Sequence, residues 1–308
     1  MANTTTAGSQ LVAALDHPKR CVDIVIDSDT YNEVDDQFAI AYALTSHEQM
    51  SVKAIYAAPF HNENSSGPED GMEKSYEEIL RLLERMSISS DGFVFKGSTS
   101  YLPDRKRAVQ SEAVDDLIAK SKHYTSENRL YVLAIGAITN IASALIVDPT
   151  LVDRIVVVWL GGHALYWPHA VEFNLKQDPL SAAVVCDSGV PLVLVPCLPV
   201  ASHTLTTRAE LERCLDVDQP LSALLLQRFV ERVGEEYSIA KEIWDVAPFG
   251  WLVNEKWASS YLDHSPLVQP DSRYSIDRRR HLIRVIDRID RNGMFNDMFE
   301  KLRTRVSG

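Results

Sequence analysis

No stretch of this 308-residue chain keeps apolar residues running for the roughly 18 positions that a bilayer crossing requires, so no membrane partner is expected. Positive charge is also scarce. Lys and Arg number 31 against 43 Asp and Glu, a formal net charge of −12, and a broad nucleic-acid surface needs the opposite balance. The basic run Arg278-Arg279-Arg280 is short, follows Asp277 and reads as a solvated loop. Cysteine is sparse: Cys21, Cys186, Cys197 and Cys214 form no Cys-x-x-Cys pair, which points to free thiols in a reducing compartment. Residues 1–20 carry Asp16 and His17 and no long apolar stretch, so no secretory signal is expected there. They read as a flexible leader, and a cytoplasmic protein follows. Repeats, low-complexity tracts and linkers are absent, so residues 21–308 read as a single domain.

What is present is alternation. Apolar strands are expected at Val22–Ile26, Val52–Ala58, Phe93–Phe95, Leu130–Ile135, Ile155–Leu160 and Leu192–Val195. Helical spacing falls between them at Asp36–Leu44, Glu73–Met86, Ser111–Ser121, Ile138–Ile146 and Pro179–Cys186. The last third is more helical, at Leu221–Glu236 and Ala247–Lys256, before a late strand near Ile283–Ile286 and a closing helix near Phe295–Leu302. Strands alternating with helices predict an α/β fold, a mostly parallel, Rossmann-like open sheet with helices on both faces. Runs such as Ile155-Val156-Val157-Val158-Trp159 suit strands buried on both sides. Ligands of such sheets bind beyond the carboxyl ends of the strands, so the polar residues after each strand matter most.

The first strand ends in acid. Asp27, Asp29, Glu33, Asp35 and Asp36 crowd ten positions, and such charges repel unless a cation sits among them. A hard divalent ion with oxygen ligands is the simplest neutraliser; a solvated acidic turn is the plain alternative. Asp27-Ser28-Asp29-Thr30 resembles the Asp-x-Asp-x-Thr signature of haloacid-dehalogenase phosphatases, with the threonine one position early. Asp-x-Asp followed by a turn and Asp35-Asp36 satisfies that of the nucleoside hydrolases. This motif alone does not choose between them.

Three later segments resemble the nucleoside hydrolases in the right order: Gly136-Ala137-Ile138-Thr139-Asn140-Ile141-Ala142; Gly161-Gly162, then Glu172-Phe173-Asn174 and Asp178-Pro179; and Trp244-Asp245. The resemblance spans about residues 22 to 300. It implies a calcium ion held by Asp29, Asp36, Asp245 and the carbonyl of Ile135. It also implies that Asp29 is the general base toward a calcium-held water, and that Asp35, Asn62, Glu172, Asn174 and Asp245 grip the ribose hydroxyls. Leu160 would lie beneath the sugar, and Asp27 would brace the loop. Relatives self-associate, so a homo-oligomer, dimer or tetramer, is expected on the same ground. Independently of the family, a ring of carboxylates suits the cationic, oxocarbenium-like sugar of N-glycoside cleavage. Glu172 and Asn174 also fit an exposed strand edge, and Asp245 a helix N-cap.

Trp244 stands where many members carry a proton-donating His, and an indole stacks on a purine instead, so the expectation leans to purine nucleosides. Trp167, His61, Asn64 and Tyr237 are further candidates near the base. His163 and His203 read as loop histidines, His163 as a solvated one. Two features depart from the family pattern. Five residues, Thr30 to Val34, separate the acid pairs where three are usual. The loop from Gly162 to Glu172 is also about two residues short and lacks a Gly-Asn that helps bind the 5′ side of ribose. A magnesium-dependent phosphatase with Asp27 as nucleophile, and a non-catalytic ribose or nucleoside binder, are the rival functions.

Overall fold

In the computed structural model, which describes residues 11–304, ten helices and twelve strands build one layered α/β unit. The strands are β1 (Val22–Ser28), β2 (Met50–Ala57), β3 (Val94–Lys96), β4 (Leu130–Ala134), β5 (Ile155–Leu160), β6 (Leu192–Val195), β7 (Leu205–Thr207), β8 (Ala240–Glu242), β9 (Ala258–His264), β10 (Leu267–Val268), β11 (Tyr274–Ser275) and β12 (Leu282–Ile289). The helices are α1 (Asp35–Thr45), α2 (Pro68–Arg85), α3 (Glu112–Ser121), α4 (Thr139–Val147), α5 (Phe173–Gln177), α6 (Pro179–Ser188), α7 (Arg208–Cys214), α8 (Pro220–Val233), α9 (Val246–Val253) and α10 (Arg291–Thr304). Eight strands form the central sheet in the order β3-β2-β1-β4-β5-β6-β12-β9, parallel except for the edge strand β9. The mostly parallel sheet read from the sequence is therefore present.

Period-two alternation splits the core into two layers. Ile24 and Ile26 of β1, with Val156, Val158 and Leu160 of β5, face Phe38, Leu82, Leu224 and Phe249. Val25, Val157 and Trp159 face Val114, Ile141 and Val185 on the other side. Each such aliphatic side chain, fully buried, contributes roughly 1.5–3 kcal/mol. After β1 the chain builds outward through β2 and β3, then returns to place β4 on the other flank of β1. That reversal opens a crevice beyond the carboxyl ends of β1 and β4.

Differences from the sequence expectation lie at the periphery. Of the expected leader, residues 1–10 fall outside the described residues. Residues 11–14 are helical and Leu15 is fully buried, because an apolar Leu11 and Leu15 one turn apart give that segment a packing face. Strand β9 was not expected: only Ala258 of its seven residues is buried, so it carries no apolar alternation to read. The short pairs β7–β8 and β10–β11 escaped for the same reason of length.

Candidate active site

Strand β1 carries its acids inward. Asp27 is fully buried; Oδ1 accepts from Asn140 Nδ2 at 2.7 Å and burial pushes its pKa up to about 7. It ties β1 to α4 and does not line the crevice cavity. A carboxylate so enclosed has no approach for a phosphoryl group, which removes the phosphatase reading. Asp29, two residues on, does line the cavity. Its Oδ2 is buried without a hydrogen-bond partner among the described residues, and burial, then Asp36 and Asp35, raise its pKa well above the usual range. Gly136 makes room for it: a Cβ there would stand 3.1 Å from the Asp29 carboxyl.

The turn after β1 is long but pinned. Asn32 N–H donates to the Asp29 carbonyl at 2.7 Å, and Asn32 Oδ1 accepts from Asn62 Nδ2 at 2.6 Å. Asn64 Nδ2 donates to the Asn32 carbonyl at 3.0 Å. Glu33 meets Lys241 at 2.5 Å and Arg232 at 3.0 Å at the cavity mouth. Gln37 holds the Thr30 carbonyl from below at 2.9 Å. Asn32 and Asn62 both line the cavity.

Asp35 and Asp36 open α1, where the positive end of the helix dipole favours acids. Carboxylate oxygens of Asp35, Asp36 and Asp245 all lie within 4.8 Å of one another, and all three residues are buried. Asp29 stands outside that set of three and Asp35 inside it, a grouping that differs from the Asp29, Asp36 and Asp245 expected from the motif. Two neighbouring side chains on one helical turn reach the same point, which their spacing alone does not reveal. Asp36 Oδ1 accepts from Ser28 Oγ at 2.6 Å. Burial, then the charge of Asp35, pushes Asp36 up to about 8. Burial likewise lifts Asp35 to about 6 against the opposing charge of Lys241. Asp245 is raised well above the carboxylate range by burial and by Asp35, Asp36 and Asp29. It occupies the N-cap position of α9, yet its side chain makes no capping bond and turns to the acids instead.

On the facing side, Asn174 Nδ2 donates to the carbonyls of Ile135 at 3.1 Å and Leu160 at 3.0 Å, bridging the ends of β4 and β5. Its amide oxygen remains as an acceptor. The Ile135 carbonyl, expected at the metal, thus already takes one hydrogen bond. Glu172 is no strand edge: it caps α5, accepting from the N–H groups of Asn174, Leu175 and Gly162 at 2.9, 3.1 and 2.7 Å. Leu160 and a half-buried Trp244 complete the expected set, with Lys241 Nζ 5.9 Å from the Trp244 ring centre. Asp29, Asp35, Asn62, Ile135, Leu160, Glu172, Asn174, Trp244 and Asp245 all line one cavity of about 530 Å³.

Other candidates go elsewhere. Trp167 packs 6.2 Å from His163 without lining the cavity, Tyr237 is exposed beneath Arg208, and neither His61 nor His203 is a lining residue. His163 reverses its expectation: it is 5% exposed and lines the cavity. Phe173, Cys197 and Arg232 also line it and were missed. Cys197 follows β6, so its strand-end position was the available signal; Arg232 on α8 offered none.

Among the described residues no helix is long and apolar enough to cross a membrane. The family model described as inosine-uridine preferring nucleoside hydrolase matches residues 24–296. A pyrimidine-specific ribonucleoside hydrolase, RihA, of Salmonella paratyphi B is 27% identical, the match covering 91% of this chain and 98% of the relative. Among solved structures, a plant nucleoside hydrolase superposes with a TM-score of 0.73 at 20% identity, covering 93% of this chain and 100% of that one. A purine-preferring ribonucleoside hydrolase from Gardnerella vaginalis gives 0.71 at 20% identity, covering 91% and 98%.

Proposed function

Because this chain belongs to the inosine-uridine preferring nucleoside hydrolase family, we propose that it hydrolyses the N-glycosidic bond of ribonucleosides, with a lean to purines, giving free base and ribose. The observation that carries the reading is the convergence of Asp35, Asp36 and Asp245, from both ends of the chain, beside the cavity that Asp29 also lines. Four buried acids with raised pKa values are a site that wants a cation, and the donors are all oxygen, which suits calcium. Asp35, Asp36 and Asp245 would hold it, with the unpartnered Asp29 Oδ2 beside them. When bound, calcium supplies the positive charge that makes a nearby water more acidic.

The protein's own groups do the rest. Asp29 takes the proton from the attacking water, as its free oxygen permits. The Asn174 amide oxygen and the remaining lone pairs of Asp35, Asp245 and Glu172 accept from sugar hydroxyls and fix the ring for attack. The same carboxylates stabilise the positive charge that grows on the sugar as the bond to the base lengthens. Leu160 presents an apolar floor. Trp244 offers a stacking face to the base, the ground for the purine lean, although the RihA relative is described as pyrimidine-specific.

The test is to incubate purified protein with purine and pyrimidine ribonucleosides and calcium and to measure reducing sugar. Release from purine nucleosides first, abolished by chelator and restored by calcium, is expected. Ligand affinity without any free sugar would leave the non-catalytic binder standing.

A further inference from the structure

Three asparagines meet at the edge of the cavity, and one backbone group fixes which way two of their amides point. The Asn64 N–H can only donate, so the branch of Asn62 that it meets at 2.8 Å is Oδ1. The other branch, Nδ2, then donates at 2.6 Å to Asn32, whose receiving atom is Oδ1. The backbone N–H of Asn32 goes to the Asp29 carbonyl at 2.7 Å, and its carbonyl accepts from Asn64 Nδ2 at 3.0 Å. Both hydrogens on Asn32 Nδ2 are left, with no acceptor among the described residues. The residue is 8% exposed and lines the cavity. It belongs to the stretch Thr30 to Val34, where the family usually has three residues. Asp29, Asp35 and Asp245 nearby can only accept while ionised, so Asn32 offers the substrate the complementary group.

Placing the sugar decides which atom takes that bond. Water activated at Asp29 has to reach C1′, so the glycosidic bond lies at the end of the cavity that Asn32 shares with Asp29. From C1′ the base points toward Trp244, and Trp244 is joined to the same turn. Lys241 Nζ stands 5.9 Å from the indole centre and binds Glu33, the neighbour of Asn32, at 2.5 Å. Base and Asn32 thus share one corner. Every base carries an acceptor one carbon away from its glycosidic nitrogen, N3 in purines and O2 in pyrimidines. In the anti form of a nucleoside that atom lies on the 2′ side, close to the sugar.

We infer that Asn32 is a catalytic residue for the leaving group, its Nδ2–H donating to N3 of a purine base or O2 of a pyrimidine base. The inference rests on the nucleoside hydrolase reading of the cavity. As the C1′–N bond breaks, its electron pair passes to the base and is shared between the glycosidic nitrogen and this acceptor. Water forms the new C1′–O bond and gives a proton to Asp29; the base takes a proton from solvent, and Asp29 returns one to it. The bond from Asn32 strengthens as negative charge grows on the acceptor, so it lowers the barrier more than it tightens binding. Trp244, which stacks but carries no useful proton, leaves that task to another group.

The experiment crosses two substrates with three proteins, calcium present throughout. A purine ribonucleoside and its 3-deaza analogue, which has C–H in place of N3, are assayed with wild type, Asn32→Ala and Asn62→Ala. Asn32→Ala should lower kcat on the parent about 10- to 100-fold, the effect of one hydrogen bond lost from a buried site, with KM little changed. On the 3-deaza substrate it should lose little, so the preference of wild type for the parent shrinks by the same factor. Asn62→Ala, which removes the brace and keeps the donor, should slow both substrates alike. For a chain that cleaves only pyrimidine ribonucleosides, uridine and its analogue lacking the 2-oxygen make the same comparison. Equal losses on both substrates in Asn32→Ala, or none, overturn the inference and leave the hydrolase reading intact. Wild type that frees no sugar from any ribonucleoside overturns the hydrolase reading itself. Should Asn32→Ala fail to fold, Asn32→Asp, which keeps an oxygen for Asn62 and has no donor, decides by the same ratio.

Discussion

Asp29 and Asp27 show how two residues of one short motif part company. Asp27 lies within β1 and is spent on the bond with Asn140, whereas Asp29 falls just past the strand end with an unpartnered oxygen. Asp29→Asn should therefore lower kcat about 10²- to 10⁴-fold, the usual worth of a general base, with ribose binding retained; steady-state kinetics and thermal shift check both. Trp244 is a different kind of contact, a face rather than a proton carrier. Trp244→Ala should lower kcat/KM for purine nucleosides about threefold to tenfold more than for pyrimidine nucleosides, in line with the modest worth of a stack. Equal losses on both base classes would show that Trp244 packs the wall and does not read the base. The participants of the acid motif were legible in the sequence because a strand followed by clustered carboxylates is a local pattern. Their division into brace, base and cation set was not, because it depends on which way each side chain turns.

At the scale of elements, the five residues Thr30 to Val34 ahead of α1 are held by their neighbours rather than by their own sequence. Gln37 donates to the Thr30 carbonyl and, at 3.2 Å, to Glu78 Oε1. Glu78, on α2, is fully buried and accepts from Arg228 of α8 at 2.7 and 2.8 Å. Three helices thus meet on one carboxylate beneath the turn. Glu78→Gln should cost about 1–3 kcal/mol in urea unfolding, since charge-assisted bonds to Arg228 are weakened and the guanidinium keeps some solvent. KM should rise as well, because the turn carries Asn32 into the cavity. No rise in KM would mean that the turn keeps its place without this support.

For the whole molecule the acid cluster is a liability without a cation. Asp36 is pushed up to about 8, Asp35 to about 6 and Asp27 to about 7, each chiefly by burial. Their unfolded values lie near 4, so between those limits the folded chain binds more protons than the unfolded one. The slope of stability with pH is then negative: chelated protein should lose stability as pH rises from about 4 to about 8. Calcium should reverse the loss, adding about 2.7 kcal/mol at a concentration 100 times its dissociation constant. Melting curves at several pH values, with chelator and with calcium, measure it. A metal-free protein whose Tm climbs steadily over that range would contradict the burial of unneutralised carboxylates.

Sequence by itself determined the sheet and the place of the site. Short apolar runs alternating with helices point to strands buried on both faces, with ligands beyond their carboxyl ends; the chain reversal between β1 and β4 that opens the crevice belongs to the tertiary structure. Sequence also supplied about half of the lining, including Asp29 and Ile135, which follow strands directly. Tertiary structure alone decided the rest. Asp245 joins Asp35 and Asp36 across some 210 positions of chain, Glu172 gives both oxygens to backbone N–H groups before it meets any ligand, and His163 is drawn from an expected solvated loop into the cavity wall. Such placements follow from how loops pack against one another, and no local periodicity encodes a contact between residues so far apart.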